Sequence, residues 1–156
     1  MICTAAGAVF SSVLKARCRQ LRLVVALVGD MSARIRYSAV PLTTLIAELS
    51  GGAAYTESAF LKRVAAGISQ GQPVQEAWVK AARTAPFFSE SDRDMLAETG
   101  ARLGETDTDG QTAMLAFSAE MLGRSLEAAE ADCTRRSGAL MKVFMLCGLG
   151  AGIIII

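Results

Sequence analysis

Residues 14–35 read LKARCRQLRLVVALVGDMSARI. Apolar side chains advance through this stretch in steps of three and four, which places them along one side of an α-helix. Its charged residues fall off that stripe. The stretch therefore predicts a long amphipathic first helix, and the stripe comprises Leu14, Cys18, Leu21, Val25, Val28, Met31 and Ile35.

The rest of the chain also has helical spacing, and no stretch alternates for long enough to predict a strand. Caps and turn residues mark helices over residues 42–49, 56–68, 74–83 and 92–103, and then a last helix capped by Asp107 or Thr108. The predicted fold is all-α. We expect a single bundle of about six helices, whose long first and last helices lead to membrane segments.

Composition limits the functions that the chain can have. Basic and acidic residues number 16 and 15, so the whole molecule has no strong field that would attract nucleic acid or an acidic substrate. Histidine is absent, which excludes the usual catalytic triads and the common zinc sites. We therefore expect no enzyme activity, no cofactor, no metal and no small-molecule substrate.

Two apolar segments flank the predicted bundle. Residues 143–156, VFMLCGLGAGIIII, carry no charge, and a helix that is apolar on every side is typical of a membrane segment in so small a protein. Residues 1–14 are also uncharged, but as a helix they cover only about 21 Å of a hydrocarbon layer. We predict a short N-terminal segment (1–14) that is a candidate membrane anchor, a cytosolic bundle (15–138) and a C-terminal membrane helix (139–156).

Basic residues lie on the bundle side of both apolar segments, namely Lys15, Arg17, Arg19 and Arg22 after the first, and Arg135, Arg136 and Lys142 before the second. By the positive-inside rule this places the bundle in the cytosol, with the two segments as antiparallel neighbours. The spacing of the cysteines then predicts that Cys18 lies at the depth of Cys133. It likewise predicts that Cys3 lies at the depth of Cys147.

Acidic residues cluster between Asp92 and Asp109. Carboxylates in such a cluster could bind a divalent cation. A solvated helix–turn–helix face that includes capping residues explains the same pattern, and we adopt that interpretation.

Several short motifs occur in order along the chain. They are Arg19-Gln20-Leu21-Arg22, Ile35-Arg36-Tyr37 with Pro41-Leu42 four residues on, Leu103-Gly104 with Asp107 and Gln111, a final helix rich in Glu and Ala, and an apolar terminus that contains glycines. Together they resemble the stage III sporulation protein AB family over nearly the whole chain. Thr99-Gly100 departs from that family, in which an aromatic-Gly pair is common at this place.

The resemblance implies a protein of the mother-cell membrane facing the forespore, in the channel complex between the two cells. Its cytosolic helical domain would be similar to that of type II secretion and type IV pilus platform proteins. The implied function is that of a structural adaptor, without catalysis, that docks a secretion-type ATPase, stage III sporulation protein AA, and contacts other channel proteins. An oligomer is compatible with this function. The matching positions, with structural or partner-contact roles, are Arg19, Gln20, Arg22, Tyr37, Pro41, Gly104, Asp107 and Gln111.

Two other functions stay open at this point. A small membrane-bound regulatory or lipid-binding helical protein would carry the same apolar ends. A soluble enzyme with a buried C-terminal helix fits less well, because it would need a polar pocket that no motif indicates.

Overall fold

The structure, a computed structural model, describes residues 2–38 and 40–153, with side chains described for residues 12–38 and 40–135. These ranges contain six α-helices, one 3-10 turn and no strand, which confirms the all-α prediction with long first and last helices. The elements are α1 (Ile2–Tyr37), α2 (Leu42–Gly51), the 3-10 turn (Ala53–Tyr55), α3 (Ala59–Ser69), α4 (Val74–Arg83), α5 (Glu90–Ala101) and α6 (Thr108–Ile153).

The two long helices pack side by side in opposite directions, and theirs is the most extensive contact in the fold. The Ser32 hydroxyl donates to the backbone carbonyl of Thr112 (3.3 Å). Further along, Arg22 pairs with Glu130, so residue numbers rise along one helix as they fall along the other. The start of α1 and the end of α6 therefore lie at the same end of the bundle.

The predicted apolar stripe of α1 faces the core, but the buried face of the helix is wider than that stripe. Its most buried members are Cys18, Leu21, Val28 and Met31. Val25 and Ile35 are only partly buried, whereas Val24 and Leu27, which lie outside the predicted stripe, are completely buried. The buried face is wider than one stripe because α1 contacts α3 as well as α6.

The packing of α3, α4 and α5 centres on Trp78 of α4, which is completely buried. Its ring meets Phe60 of α3 edge to face, with centroids 4.9 Å apart. Its indole Nε1 donates to the backbone carbonyl of Leu96 on α5 (2.9 Å). A Cβ added at Gly100 would lie 2.0 Å from Cδ1 of Trp78, so only glycine allows α5 to approach α4 this closely.

Two predicted helix starts are displaced by local caps. The helix predicted from residue 56 begins at Ala59, because the Ser58 hydroxyl caps it by accepting the N–H of Leu61 (3.2 Å). The helix predicted from Asp92 begins earlier, at Glu90. There Ser89 and Asp92 form a capping box, in which each side chain accepts the backbone N–H of the other residue.

Within the described residues, no helix is both long and apolar enough to cross a membrane. Side chains are not described for residues 1–11 and 136–156. The described side chains therefore include only the last part of the predicted N-terminal segment. They include none of the predicted membrane helix over residues 139–156. The division into residues 1–14, 15–138 and 139–156 stays a prediction.

Substituting Gly100→Ala is expected to lower the free energy of unfolding by about 1–3 kcal/mol, because the new methyl group overlaps the ring of Trp78. Thermal unfolding of the full chain, followed by circular dichroism, measures the change. The matched control is Gly29→Ala in α1, where an added Cβ meets nothing within 4 Å. That substitution is expected to be neutral or to stabilise by up to about 1 kcal/mol. Equal melting temperatures for the two variants would contradict the packing described.

Candidate functional site

The eight motif positions lie in two groups at opposite ends of the bundle. Arg19, Gln20 and Arg22 lie near the proximal end, which we define as residues 12–22 of α1 with residues 130–135 of α6. The other five lie at the distal end, formed by residues 37–42 and 103–111, and they are Tyr37, Pro41, Gly104, Asp107 and Gln111. The eight positions taken from the family resemblance therefore form two groups of neighbours in the structure and not one site.

Gln20 links α1 to the start of α3. Its side chain is buried, with the residue 8% exposed. Nε2 donates to the backbone carbonyl of Glu57 (2.9 Å), and Oε1 accepts the backbone N–H of Ala59 (3.1 Å). These two backbone groups flank Ser58, the cap of α3. Gln20 therefore fixes the start of α3 against α1, so its role is structural.

The two arginines beside Gln20 form surface ion pairs. Arg19 lies 3.3 Å from a carboxylate oxygen of Glu57, and both side chains are more than half exposed. Arg22 pairs with Glu130 of α6. Pairs with this exposure typically contribute about 0–1 kcal/mol to stability, so both arginines remain available for other anions.

A partly buried ion pair near this end joins α1 to α5. Asp92 of α5 is 1% exposed, and its carboxylate lies 3.1 Å from Nη2 of Arg17 on α1. Burial by itself raises the pKa of Asp92, but hydrogen bonds from Ser89, from Ser125 of α6 and from Arg17 outweigh it and hold that pKa below its usual value. The sequence pattern predicted Asp92 as part of a cap and did not indicate its contact with Arg17.

At the distal end, two motifs that are far apart in sequence meet. Gly104 has a φ of +81°, which favours glycine, and a Cβ added there would lie 3.6 Å from Cδ1 of Leu42. Gln75 Nε2 donates to the carbonyl of Leu103 (2.7 Å). Pro41 precedes α2 as its N-cap, and its carbonyl accepts the N–H of Leu45 (3.0 Å).

Asp107 and Gln111 shape the turn into α6. An Asp107 carboxylate oxygen accepts the backbone N–H of Gly110 (3.1 Å), so Asp107 is the capping residue, and Thr108 is the first residue of the helix. Nε2 of Gln111 donates to the carbonyl of Thr106 (2.9 Å). Both residues therefore serve as local caps.

Tyr37 differs from the other distal positions because nothing in the described chain holds it. It is the last residue of α1, and 84% of it is exposed. Val40, three residues on, is also exposed. A motif position with so little contact inside the fold suits a contact with another molecule.

The acidic residues between Asp92 and Asp109 divide by role. Asp92 lies in a partly buried ion pair and a capping box, and Asp107 caps α6. Among the residues that the structure describes, no group of three or more Cys, Asp or Glu residues could hold a metal ion. The prediction of a solvated face is wrong for Asp92, which is buried, whereas the other acids of this stretch are exposed as that interpretation expected, namely Asp94, Glu98, Glu105, Asp107 and Asp109.

The fold and these positions define a class of protein: a helical bundle in which Gln20, Pro41, Gly104, Asp107 and Gln111 set caps, turns and helix contacts while Arg19, Arg22 and Tyr37 lie on the surface. A model of the stage III sporulation protein AB family matches residues 1–156. The chain therefore belongs to this family, as its motifs indicated, and membership supports a role in sporulation. No curated protein and no solved structure shows a significant match to the chain.

The lowered pKa of Asp92 predicts a specific loss of stability in acid. A carboxyl whose pKa is lower in the folded state than in the unfolded state stabilises the fold above the unfolded pKa of about 4. That contribution is lost as the pH falls through the folded pKa. We expect the melting temperature of Asp92→Asn to lie below that of the unmodified chain at pH 7, and the difference to shrink as the pH falls below about 4.

The matched control is Asp94→Asn, because Asp94 is an exposed acid on the same helix. Its effect on the melting temperature is expected to be small at every pH. If the difference for Asp92→Asn kept its size down to pH 2, the carboxylate would not be the stabilising group.

Proposed function

We propose that the chain is a membrane-anchored adaptor in the channel complex between mother cell and forespore. Its bundle docks a cytosolic secretion-type ATPase, stage III sporulation protein AA, through the distal end. The observation that carries this proposal is the antiparallel contact of α1 with α6. That contact supports the proposal, because the two predicted membrane segments would then continue from one end of the bundle while the exposed Tyr37 lies at the other.

The length of α1 supports a cytosolic docking site. From Leu14, the last residue of the predicted N-terminal segment, to Tyr37 the helix rises about 35 Å. The distal end would thus stand well clear of the headgroups, where a soluble partner has access to it.

The chemistry of the distal end suits a protein partner. Tyr37 offers a large exposed ring, and Val40 adds a smaller apolar surface. Exposed charged residues belong to the same end of the bundle, namely Arg36 on α1 and Glu105 and Asp109 around the turn into α6. Aromatic residues inside a polar rim are the usual centres of binding energy in protein interfaces.

Catalysis forms no part of the proposal. The chain has no histidine, and Gln20, Gly104, Asp107 and Gln111 already have structural tasks within the fold. We therefore propose that the protein acts by holding its partners in position at the membrane.

Membrane anchoring is tested by alkaline extraction of membranes from cells that express the full chain. We expect the chain to stay with the membrane pellet, because Lys142 is the only charged residue in the predicted membrane helix over residues 139–156 and residues 143–156 carry no charge. A variant without residues 139–156 is expected to shift into the soluble fraction. Release of the intact chain would overturn the anchoring proposal.

Docking is tested by measuring the affinity of the full chain, in detergent, for the purified ATPase. Tyr37→Ala is expected to weaken binding at least about thirtyfold, the usual effect of losing a central aromatic contact. The matched control is Phe117→Ala, since Phe117 is also an exposed ring (63%) but lies on α6 outside the distal end. Unchanged affinity for Tyr37→Ala, or an equal loss for Phe117→Ala, would place the docking surface elsewhere.

A further inference from the structure

A groove of about 470 Å³ lies between α1 and α6 at the proximal end. Its lining on α1 consists of Cys18 and the cations Lys15, Arg19 and Arg22, and its lining on α6 includes Glu130 and Cys133. No sequence motif indicates a ligand for this groove. Its lining nevertheless gathers three positive charges against one negative charge.

The three cations differ in whether they form an ion pair within the fold. Their spacing of four and then three residues places them on one side of α1. Arg19 and Arg22 have exposed acidic partners, Glu57 and Glu130, whereas Lys15 forms no ion pair within the described residues. Lys15 lies nearest the start of α1, so the unpaired charge stands at the end of the groove that faces the predicted membrane segments.

The position of the groove along α6 follows from its own contacts. Arg22 pairs with Glu130, and Cys18 lines the same groove as Cys133, as the cysteine spacing predicted. Lys15 is therefore level with about residue 136. This position precedes the predicted membrane helix by three residues, a distance of about 5 Å along the helix axis. Headgroups occupy about 5–7 Å on each side of the hydrocarbon layer. This end of the groove would lie at the depth of lipid phosphates.

We infer that this groove binds the phosphate of an anionic phospholipid, with Lys15 as the first contact and Arg19 and Arg22 behind it. The inference rests on the membrane anchoring proposed above. Phosphate oxygens accept short, charge-assisted hydrogen bonds from ammonium and guanidinium groups. An anionic lipid supplies the negative charge that Lys15 lacks inside the fold. Bound lipid would fix the proximal ends of α1 and α6 against each other at the membrane surface.

The Cys18 thiol in the lining of the groove does not add a second anion beside Glu130. Burial, followed by the neighbouring Cys133 and Glu130, raises the pKa of the Cys18 thiol, so Cys18 is uncharged at neutral pH. Cys133 is half-buried in the same lining. Its thiol can therefore report whether the groove is occupied.

The test uses the full chain in nanodiscs of phosphatidylcholine, alone or mixed with increasing phosphatidylglycerol. Labelling of Cys133 by the uncharged reagent N-ethylmaleimide is followed by peptide mass spectrometry. We expect phosphatidylglycerol to slow labelling several-fold. Lys15→Gln is expected to raise the phosphatidylglycerol fraction needed for half of this protection about fivefold, the usual effect of one cation near an anionic surface. This variant leaves the ion pairs of Arg19 and Arg22 intact.

Neutralising Lys15, Arg19 and Arg22 together is expected to abolish the protection. The matched control removes three cations far from the groove, with Arg34→Gln, Arg36→Gln and Arg102→Gln, and should retain it. Circular dichroism verifies that each variant is folded. Inorganic phosphate added to phosphatidylcholine nanodiscs should give no protection, and equal protection by it would overturn the assignment to a lipid.

The outcomes separate this inference from the proposed function. If the chain enters nanodiscs but labels at the same rate with and without phosphatidylglycerol, the lipid site is overturned and anchoring stands. If the chain stays out of nanodiscs of either composition, anchoring and the lipid site are both overturned.

Discussion

The antiparallel contact between α1 and α6 is the constraint on which the rest of the structure depends. It buries apolar side chains from both helices, among them Leu21 and Val24 on α1 and Leu115 and Leu122 on α6. Removing this surface from water supplies most of the driving force for a bundle of this size. The same contact makes the two ends of the bundle different, because both predicted membrane segments would continue from the proximal end and neither from the distal end.

Polar links then fix how α3 and α5 join the long pair. Gln20 on α1 forms hydrogen bonds with the backbone at the start of α3. Arg17 on α1 donates a hydrogen bond to the carboxylate of Asp92 on α5. Inside the core, the hydroxyls of Thr99 on α5 and Ser118 on α6 lie 2.8 Å apart and share a hydrogen bond. Buried polar groups are costly unless they are paired, so each link disfavours helix registers in which its partner is absent.

The two ends carry different chemistry. The proximal end presents cations that face the predicted membrane segments, and the distal end presents Tyr37 and Val40 among exposed charges. In the proposed function, one end contacts lipid while the other contacts a soluble protein. The intervening bundle would hold the two contacts at a constant separation, since its helices are tied by both apolar packing and buried polar links.

Local features were predictable from the sequence because they depend on neighbours within about one helical turn. The bounds Val74–Arg83 match the prediction, and Asp107 is one of the two residues predicted to cap the last helix. Tertiary structure alone revealed that Val24 is core, that Arg17 reaches Asp92 across 75 residues, and that Tyr37 is left exposed. Periodicity and cap rules describe one helix at a time, whereas burial and long-range pairing depend on which other helices pack against it.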